Sequence, residues 1–487
     1  MRPCGRRGRE LDPTRAKSHL ARELRGLSDY SQKDTSGMSV SRRNFLKSSI
    51  LPASLSAGGV LAAAGAGASV PNRNASLTVD SGLDASRSLQ RMIDDAAARG
   101  APVLLPPGRL IVGGIKIPDG LQLVGMPGRS VLEWNGRGAF ITISNGENIR
   151  ISGISFDGAG RRFSKGGQPG LIRADGVRAL RIEHCAITGS AAHGISLENC
   201  TGALIGNEIS QAAETGIFAN NSKGLEVSGN IVRDCANNGI QIWRSDKGED
   251  GTILSNNRVF NIQNRNGGNG QWGNGINIFR AGNVIIANNR IHDCSYSAIR
   301  VNAGNAAHIT GNSCARLGEV ALFVEFGYLG AIVANNSVET AEIGISITNL
   351  DVGGRLAVCQ GNLIRNLFLR SGKSGDTAGG IGIAAEADVA ITGNTIEGAP
   401  LSGLLLGWGP YLRNINATGN VINDCRTGIG VSVVKKAGRA LIANNLISNH
   451  KSGAILGMAW QKPATNELTR PGAKIPSNLT LAGNIAA

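Results

Sequence analysis

The sequence predicts an all-β fold, a single-stranded, right-handed parallel β-helix solenoid with an N-terminal capping helix. Three observations lead there. A short apolar-alternating run ending in Gly-Asn or Asn-Asn recurs, with its asparagine at Asn207, Asn230, Asn257, Asn289, Asn312, Asn336, Asn362, Asn394, Asn420, Asn445 and Asn484. The shortest spacings, 207 to 230 and 289 to 312, are 23 residues. Within each repeat, β-branched residues fall at period 2 and no 3.6-residue period has room to develop. A fixed period in the twenties with strand periodicity is the mark of a β-solenoid.

Stacking gives each column its chemistry. Strands of successive coils lie roughly 4.8 Å apart, so residues of one column face copies of themselves. Ile195, Ile217, Ile240, Ile276, Ile299, Ile345, Ile381 and Ile429 are expected to form an inner apolar ladder. The asparagine column is expected to form an amide ladder at a tight turn, each side chain bonding backbone and neighbour.

Taken from the N-terminus, residues 1–37 read as a disordered extension or a misassigned start, because Met38 stands just before a targeting pattern. Ser41-Arg42-Arg43-Asn44-Phe45-Leu46-Lys47 resembles the twin-arginine export motif, with Arg42 and Arg43 as its pair. An Ala/Gly-rich run follows, and Ala66-Gly67-Ala68 has the small residues of a cleavage site. Residues 38–68 are therefore expected to be a twin-arginine signal peptide, and the mature protein to be periplasmic or secreted. Residues 69–83 read as a linker and 84–487 as the solenoid body. Residues 84–98 read as an amphipathic helix with Leu89, Met92, Ile93 and Ala96 on one face, placed to cap the open N-terminal end. Val103-Leu104-Leu105-Pro106-Pro107-Gly108 and Leu121-Gln122-Leu123-Val124-Gly125 follow as the first strands.

The chain has 487 residues, 69 of them Gly, only 4% aromatics and a formal net charge of +15. Residues 1–68 carry 12 Lys/Arg against 5 Asp/Glu, leaving a moderately basic body. That balance suits an acidic polysaccharide as partner. No Arg/Lys-aromatic stripe of a nucleic-acid module is present, so no nucleic-acid partner is expected. No run of 18 apolar residues follows the leader, so the mature part is not expected to be membrane-embedded. Of the eight cysteines, Cys235, Cys294 and Cys425 each lie five residues after a marker asparagine. Cys235 and Cys294 are two coils apart, roughly 10 Å, beyond disulfide reach. They read as core residues. Cys185, Cys200, Cys314 and Cys359 fall at other phases, which leaves one disulfide among them open. No metal cluster is expected; Asp246-Lys247-Gly248-Glu249-Asp250 could hold calcium, although such a run is more often a solvated loop.

Extra residues at 157–169, 244–251, 263–274, 349–354, 370–379 and 458–475 mark loops leaving the coil. Those at 263–274 and 370–379 precede the Gly-Ile strand, and those at 244–251 and 349–354 follow it. They are expected to wall one sheet as a groove. On that strand the outward positions read Ser196 and Glu198, Phe218 and Asn220, Gln241 and Trp243, Asn277 and Phe279, Arg300 and Asn302, Phe323 and Glu325, Ser346 and Thr348. They then turn small, as Gly382 and Ala384, then Leu405 and Gly407. The next position adds Arg244 and Arg280 among others.

Gln241, Trp243, Arg244, Asn277, Phe279, Asn302 and Phe323 are therefore the candidate substrate-binding set. Rings cover the apolar faces of sugars, guanidinium forks bind carboxylates, and amides bind hydroxyls. Elimination from a uronate needs cations to neutralise the carboxylate, a base to take the ring proton and a tyrosine to protonate the leaving oxygen. Arg280 and Arg300 suit the first tasks, and Tyr328 or Tyr296 the last. Hydrolysis needs two carboxylates about 5 to 9.5 Å apart, for which Glu325 and Asp351 on neighbouring coils are the candidates. A simple surface role also places Arg and Phe on the outside of a sheet.

The order of helix, Val-Leu-Leu-Pro-Pro-Gly and Gly-rich strand pair resembles the N-terminus of pectate-lyase-like β-helix proteins. That resemblance extends over about residues 80–485. Leader and coil repeat further resemble a group of twin-arginine-exported bacterial β-helix repeat proteins. Membership implies fold and compartment, and chemistry only weakly. Ala192-His193-Gly194-Ile195-Ser196 is similar to the turn of polygalacturonase-type hydrolases. The Asp-Asp pair and Asn-Thr-Asp of those enzymes are missing, so His193 reads as coil decoration. The Asp-Pro-His-Asp of alginate epimerases and the Arg-x-Pro-x-x-Arg of pectate lyases are also missing. The expected function is an exported protein acting on an acidic polysaccharide, as lyase, epimerase or hydrolase. The alternative is a non-catalytic carbohydrate-binding or cell-envelope scaffold. A third reading, export of a folded protein with a preloaded cofactor, lacks a ligand cluster.

Overall fold

The computed structural model describes residues 77, 79–163, 169–268, 270–371 and 377–487. The proposed extension and signal peptide, including Arg42 and Arg43, lie outside them. The body is a parallel β-solenoid of about 13 turns. Each regular coil supplies three short strands, as in Leu180–Glu183, Ala186–Thr188 and His193–Glu198, followed by Gly202–Ile205, Glu208–Ser210 and Thr215–Asn220. The first strands of all coils form one 15-stranded sheet. The second and third strands form two further faces that are continuous where one long strand, such as Thr395–Leu406, turns the corner.

Register explains the core. On the first face Ile182, Leu204, Val227 and Leu254 are successive partners; on the second, Ile187, Ile209, Val232 and Val259. All are buried. Between these faces runs the asparagine ladder. Each of the ten from Asn207 to Asn445 donates its Nδ2 to the Oδ1 of the next at 2.9–3.0 Å, ending on Asn484. The same Oδ1 accepts the backbone N–H of the preceding asparagine, as Asn336 Oδ1 does from Asn312 at 2.9 Å. The turn thus satisfies buried backbone and side-chain groups together.

Helix α1 spans Ser86–Ala98 and buries Leu89, Ile93 and Ala96 on the first coils, as its periodicity predicts. The linker reading ends earlier than expected. Asp80 already exchanges bonds with Arg109, and Asp84 bridges to Ile111, so residues 79–84 belong to the body. At the other end, Lys462–Glu467 folds back antiparallel on Gly453–Ala459 and covers the last edge of the third face. Glu467 accepts the backbone N–H of Ala454 and Ile455 there. An unpaired edge would otherwise be open to association.

All seven described cysteines are free and buried. Cys235 and Cys294 are each register partners of Ile262, which puts them two strands apart on one row. Burial pushes the Cys235 thiol up to about 12 and those of Cys185 and Cys425 to about 11. The expected result of thiol titration at pH 8 is that none of these seven reacts until the chain is unfolded, because the thiolate is the reacting form. Rapid labelling of the folded body at Cys235 would contradict this packing.

One column differs from the sequence reading. Ile345 pairs with Ile383, not Ile381, and Ile383 with Leu404. Gly380-Ile381-Gly382-Ile383 offers two Gly-Ile pairs, and the hairpin formed by Leu369–Ser371 and Thr377–Gly379 delays entry into the strand. The outward positions of this coil are therefore Ala384 and Glu386, two residues beyond those the pattern gave.

Candidate functional site

The third face carries three outward rows. Along the middle row Ser196, Phe218, Gln241, Asn277, Arg300, Phe323, Ser346, Ala384 and Leu405 are successive partners. Along the next row run Glu198, Asn220, Trp243, Phe279, Asn302 and Glu325. Because Val324, Ile347 and Ala385 are partners, Thr348 and Glu386 continue this row. The binding set expected from the sequence is therefore gathered on one facet.

Trp243 is its centre. Its ring lies 5.6 Å from that of Phe279 and 5.8 Å from that of Phe218, and its Nε1 donates to Asn277 Oδ1 at 2.8 Å. Trp272, absent from the sequence-based set, stacks on it from the loop at 263–274, with centroids 5.9 Å apart. The strand pattern could not find Trp272 because it lies in an insertion. His193 stacks on Phe218 at 4.8 Å, and burial lowers its pKa to about 4. Gln241 is fully buried, with its Oε1 accepting from Thr215, so it supports the facet from beneath.

The loops take the sides expected of them. Asn238 Nδ2 donates to Gln271 O at 3.1 Å and Tyr296 Oη to Gly268 O at 2.9 Å, holding the 263–274 loop. Gly270 of that loop presses on the Arg300 guanidinium, and a Cβ there would sit 1.6 Å from Nη1. On the other side, Arg280 donates to Ser245 O at 2.5 Å, and its guanidinium lies 4.8 Å from the Phe279 centroid. Arg280 has φ +59°, at the corner where other coils carry Asn199, Asn221 and Asn349. Arg244 has buried Nε and Nη1 atoms without a hydrogen-bond partner among the described residues. Lys247 reaches Gly327 O, and Asp250 is buried with its Oδ1 accepting from Thr252 N at 3.1 Å, so the 246–250 run is partly folded in. Among the described residues no group of three or more His, Cys, Asp or Glu is placed to hold a metal.

The reacting groups sort differently from expectation. Arg300 Nε donates to Glu325 Oε1 at 2.5 Å, and Asn302 Nδ2 joins the same oxygen at 3.1 Å. The pair is buried, so Arg300 is a partner of Glu325 before it can be a clamp for substrate. Tyr328 leaves the candidate set, because it is 0% exposed inside the core and burial raises its pKa. A phenol with no path to the groove cannot protonate a leaving group there. Asp351 stands exposed on the short 3-10 helix Leu350–Val352. Its charge reaches Glu386, whose Oε2 accepts Leu350 N at 2.7 Å.

Three carboxyls missed by the strand pattern complete the site. Glu319 and Glu342 occupy one phase of successive coils at the entry corner, linked by Glu342 N to Glu319 O at 3.0 Å. Glu342 also meets Arg370 at 2.9 Å. Burial pushes Glu319 up to about 7, opposed by Arg300 and reinforced by Glu325. Burial likewise raises Glu325 and Glu342, opposed by Arg300 and Arg370. Glu386 is 8% exposed and pushed up to about 7 by burial. A same-phase repeat of glutamate at 319 and 342 was the signal available for two of them.

Where the outward positions turn small, the face opens into a cavity of about 410 Å³. Ala384, Leu405 and Gly430 form part of its lining, with Glu386, Trp408 and Trp460. Small side chains here make room for the cavity.

Two protein-family descriptions match the chain: "Right handed beta helix region" over residues 247–414 and "Rhamnogalacturonase A/epimerase, pectate lyase-like" over residues 73–300. No curated protein matches the sequence. Among solved structures, the chain is similar to the catalytic unit of the GH87 α-1,3-glucanase of Streptomyces thermodiastaticus. Identity is 16%, over 84% of this chain and 67% of that one, with a TM-score of 0.47. The mannuronan C-5 epimerase AlgE4 A-module of Azotobacter vinelandii gives 15% identity, 71% and 93% coverage and a TM-score of 0.44. PfbA, a surface adhesin of Streptococcus pneumoniae, gives 16%, 82% and 96%, and 0.41. These likenesses concern the fold.

Proposed function

We propose that the third face of this right-handed parallel β-helix, whose residues 73–300 match the pectate-lyase-like description, binds an acidic polysaccharide and hydrolyses it. The observation that carries this reading is the row Glu325, Thr348, Glu386. Two carboxyls stand on one outward row with a small hydroxyl residue between them. Two strand spacings separate their backbones by roughly 10 Å. That is the scale on which an inverting hydrolase places an acid and a base around a bond and its water. Glu386, with its pKa about 7, suits the proton donor to the leaving oxygen. Glu325 takes the ionised role, its Arg300 and Asn302 donors favouring the carboxylate against the rise that burial imposes on it. Asp351 and Glu319 flank the pair.

Elimination is less well supported, since Arg300 is engaged by Glu325 and Tyr328 is buried. Trp243, Phe279 and Phe323 supply sugar platforms upstream, and Arg280, Arg370 and Arg426 supply cations at the rim. The twin-arginine pattern around Arg42 and Arg43 supports export in folded form to the periplasm or beyond. The basic body favours an acidic polymer once there. Calcium has no assigned place in this reading.

The test is incubation of the full chain with acidic polysaccharides, following reducing ends and unsaturated-uronate absorbance together. Reducing ends without absorbance, lost by at least about 100-fold in Glu386→Gln, is the expected result. Absorbance at equal yield would replace hydrolysis by elimination. Trp243→Ala is expected to weaken binding about tenfold while leaving the fold intact, because it removes the stacking ring. A second reading, binding without turnover, is favoured by the closed hydrogen-bonded set of Arg300, Asn302 and Glu325. Affinity with no new ends in any polymer would establish it.

A further inference from the structure

The cavity at the C-terminal end of the third face differs from the open facet around Trp243. It lies where the solenoid stops, beside the hairpin of Gly453–Ala459 and Lys462–Glu467. Trp460 and Gln461 are the two loop residues of that hairpin, since Ala459 pairs with Lys462. Trp460 has φ +59°, a left-handed first turn position that hairpins normally give to Gly or Asn. The turn presents the Trp460 side chain to the cavity.

That ring is 47% exposed and meets Trp408 edge-on, with centroids 5.5 Å apart and planes at 78°. Gly409 lies directly beneath it; a Cβ there would come within 2.4 Å of the indole. The two indoles thus make perpendicular walls. Around them the lining alternates between apolar and hydroxyl groups: Leu405 and Met458 against Thr348, Ser402, Thr427 and Ser452. Glu386 is the buried carboxyl of the floor, and Arg426 belongs to the same lining.

We propose that this cavity, which shares Thr348 and Glu386 with the row proposed for hydrolysis, is a recognition pocket for one neutral pyranose ring, at the end or branch of the glycan bound along the third face. Mixed lining is the reason for a sugar. A wholly apolar ligand would desolvate the hydroxyls and Glu386 and satisfy none of their remaining hydrogen-bonding capacity. A pyranose offers a C–H face to an indole and a rim of hydroxyls to the polar groups. The volume lies in the range of pockets that enclose a small ligand. Neutrality follows from the lining, whose one carboxyl, Glu386, is balanced by one guanidinium, Arg426, so that a uronate carboxylate meets no net positive charge. The blind position follows from the hairpin, where a continuing chain meets Trp460.

The inference rests on the glycan reading of the third face, and its test separates the two. The probes are methyl glucoside, methyl galactoside, methyl mannoside and methyl galacturonoside, titrated into the full chain. Intrinsic tryptophan fluorescence and ligand-observed NMR are the readouts. At least one neutral glycoside is expected to bind, with the galacturonoside weaker at pH 8. Binding is expected to fall about tenfold in Trp460→Ala and to be unchanged in Trp243→Ala. Trp460→Phe, which keeps a ring on the same turn, is expected to recover part of it, and would expose a fold defect if it did not. Polymer binding with no glycoside binding would overturn the pocket and leave the groove. Glycoside binding lost in Trp243→Ala but not Trp460→Ala would also overturn it. Glycoside binding at Trp460 with no polymer binding would leave the pocket and remove the groove.

Discussion

Asn312→Leu is expected to lose roughly 3–5 kcal/mol of stability, enough to unfold the central coils at growth temperature. Asn312 is 1% exposed. Its Nδ2 donates to Asn336 Oδ1 at 3.0 Å and Ile286 O at 2.9 Å. Its Oδ1 accepts Asn289 N and Asn289 Nδ2, both at 3.0 Å. Leucine fills the volume but deletes every one of these bonds, leaving the buried Asn289 backbone N–H without its acceptor and the Asn289 amide with only its bond to Leu254 O. Each such loss costs about 1–3 kcal/mol, and the two lie in one network where effects do not simply add. Asn484→Leu is the internal comparison. It ends the ladder and is only partly buried, so the groups that lose its bonds, the Asn445 donors and Ile442 O, can turn to water. Urea unfolding should place its midpoint well above that of Asn312→Leu. Equal midpoints would mean that the ladder satisfies polar groups without setting stability.

That ladder was legible in the sequence because every coil repeats the same contact at the same turn. All eleven asparagines named from spacing alone meet in the structure. Binding residues were legible for a related reason. Once a strand's face is known, alternation assigns each outward side chain, and Trp243, Phe279, Arg300, Asn302 and Glu325 follow from it. Alternation failed where the coil departs from its own rule. Gly380-Ile381-Gly382-Ile383 fits two registers that differ by two residues, and hydrophobicity cannot choose between them. The choice goes with the Leu369–Gly379 hairpin, an insertion whose pairing no column of the repeat predicts. One slip hid Glu386. Tyr328 failed for the opposite reason, because Gly327 and Tyr328 follow the third-face corner and the chain there has already turned inward. Trp272 and Trp460 sit in insertions, where no column predicts direction. The pocket therefore emerged only from the folded chain, although the groove beside it could be read in advance.

Glu386→Gln should stabilise the protein at pH 8 by a margin approaching roughly 3 kcal/mol and leave it unchanged at pH 4. Glu386 ordinarily titrates at 4.5 and is pushed up to about 7 in the folded state, first of all by burial. Two backbone N–H donors, from Leu350 and Asn349, work against that rise and do not cancel it. Between pH 4.5 and 7 the folded chain holds a proton that the unfolded chain has released. Stability contributed by this group is therefore complete below 4.5, falls as pH rises through 7, and is lost above it. A shift of this size corresponds to roughly 3 kcal/mol as an upper bound. Glutamine keeps the shape and the acceptor oxygen without the charge, so its curve lacks that decline. Other groups contribute to the pH dependence and must be separated. Glu319, Glu325 and Glu342 move in the same direction. His193, held down to about 4 by burial, acts oppositely, because its contribution is complete above 6.5 and lost as pH falls through 4. All remain in the variant, so the difference between the two curves isolates Glu386. The same measurement bears on chemistry. A carboxyl still protonated near neutrality can deliver a proton to a leaving oxygen, and one already ionised cannot. A difference that stays flat from pH 4 to 8 would mean that Glu386 ionises like an exposed acid. Hydrolysis would then need Glu319 as its proton donor, on the far side of Arg300.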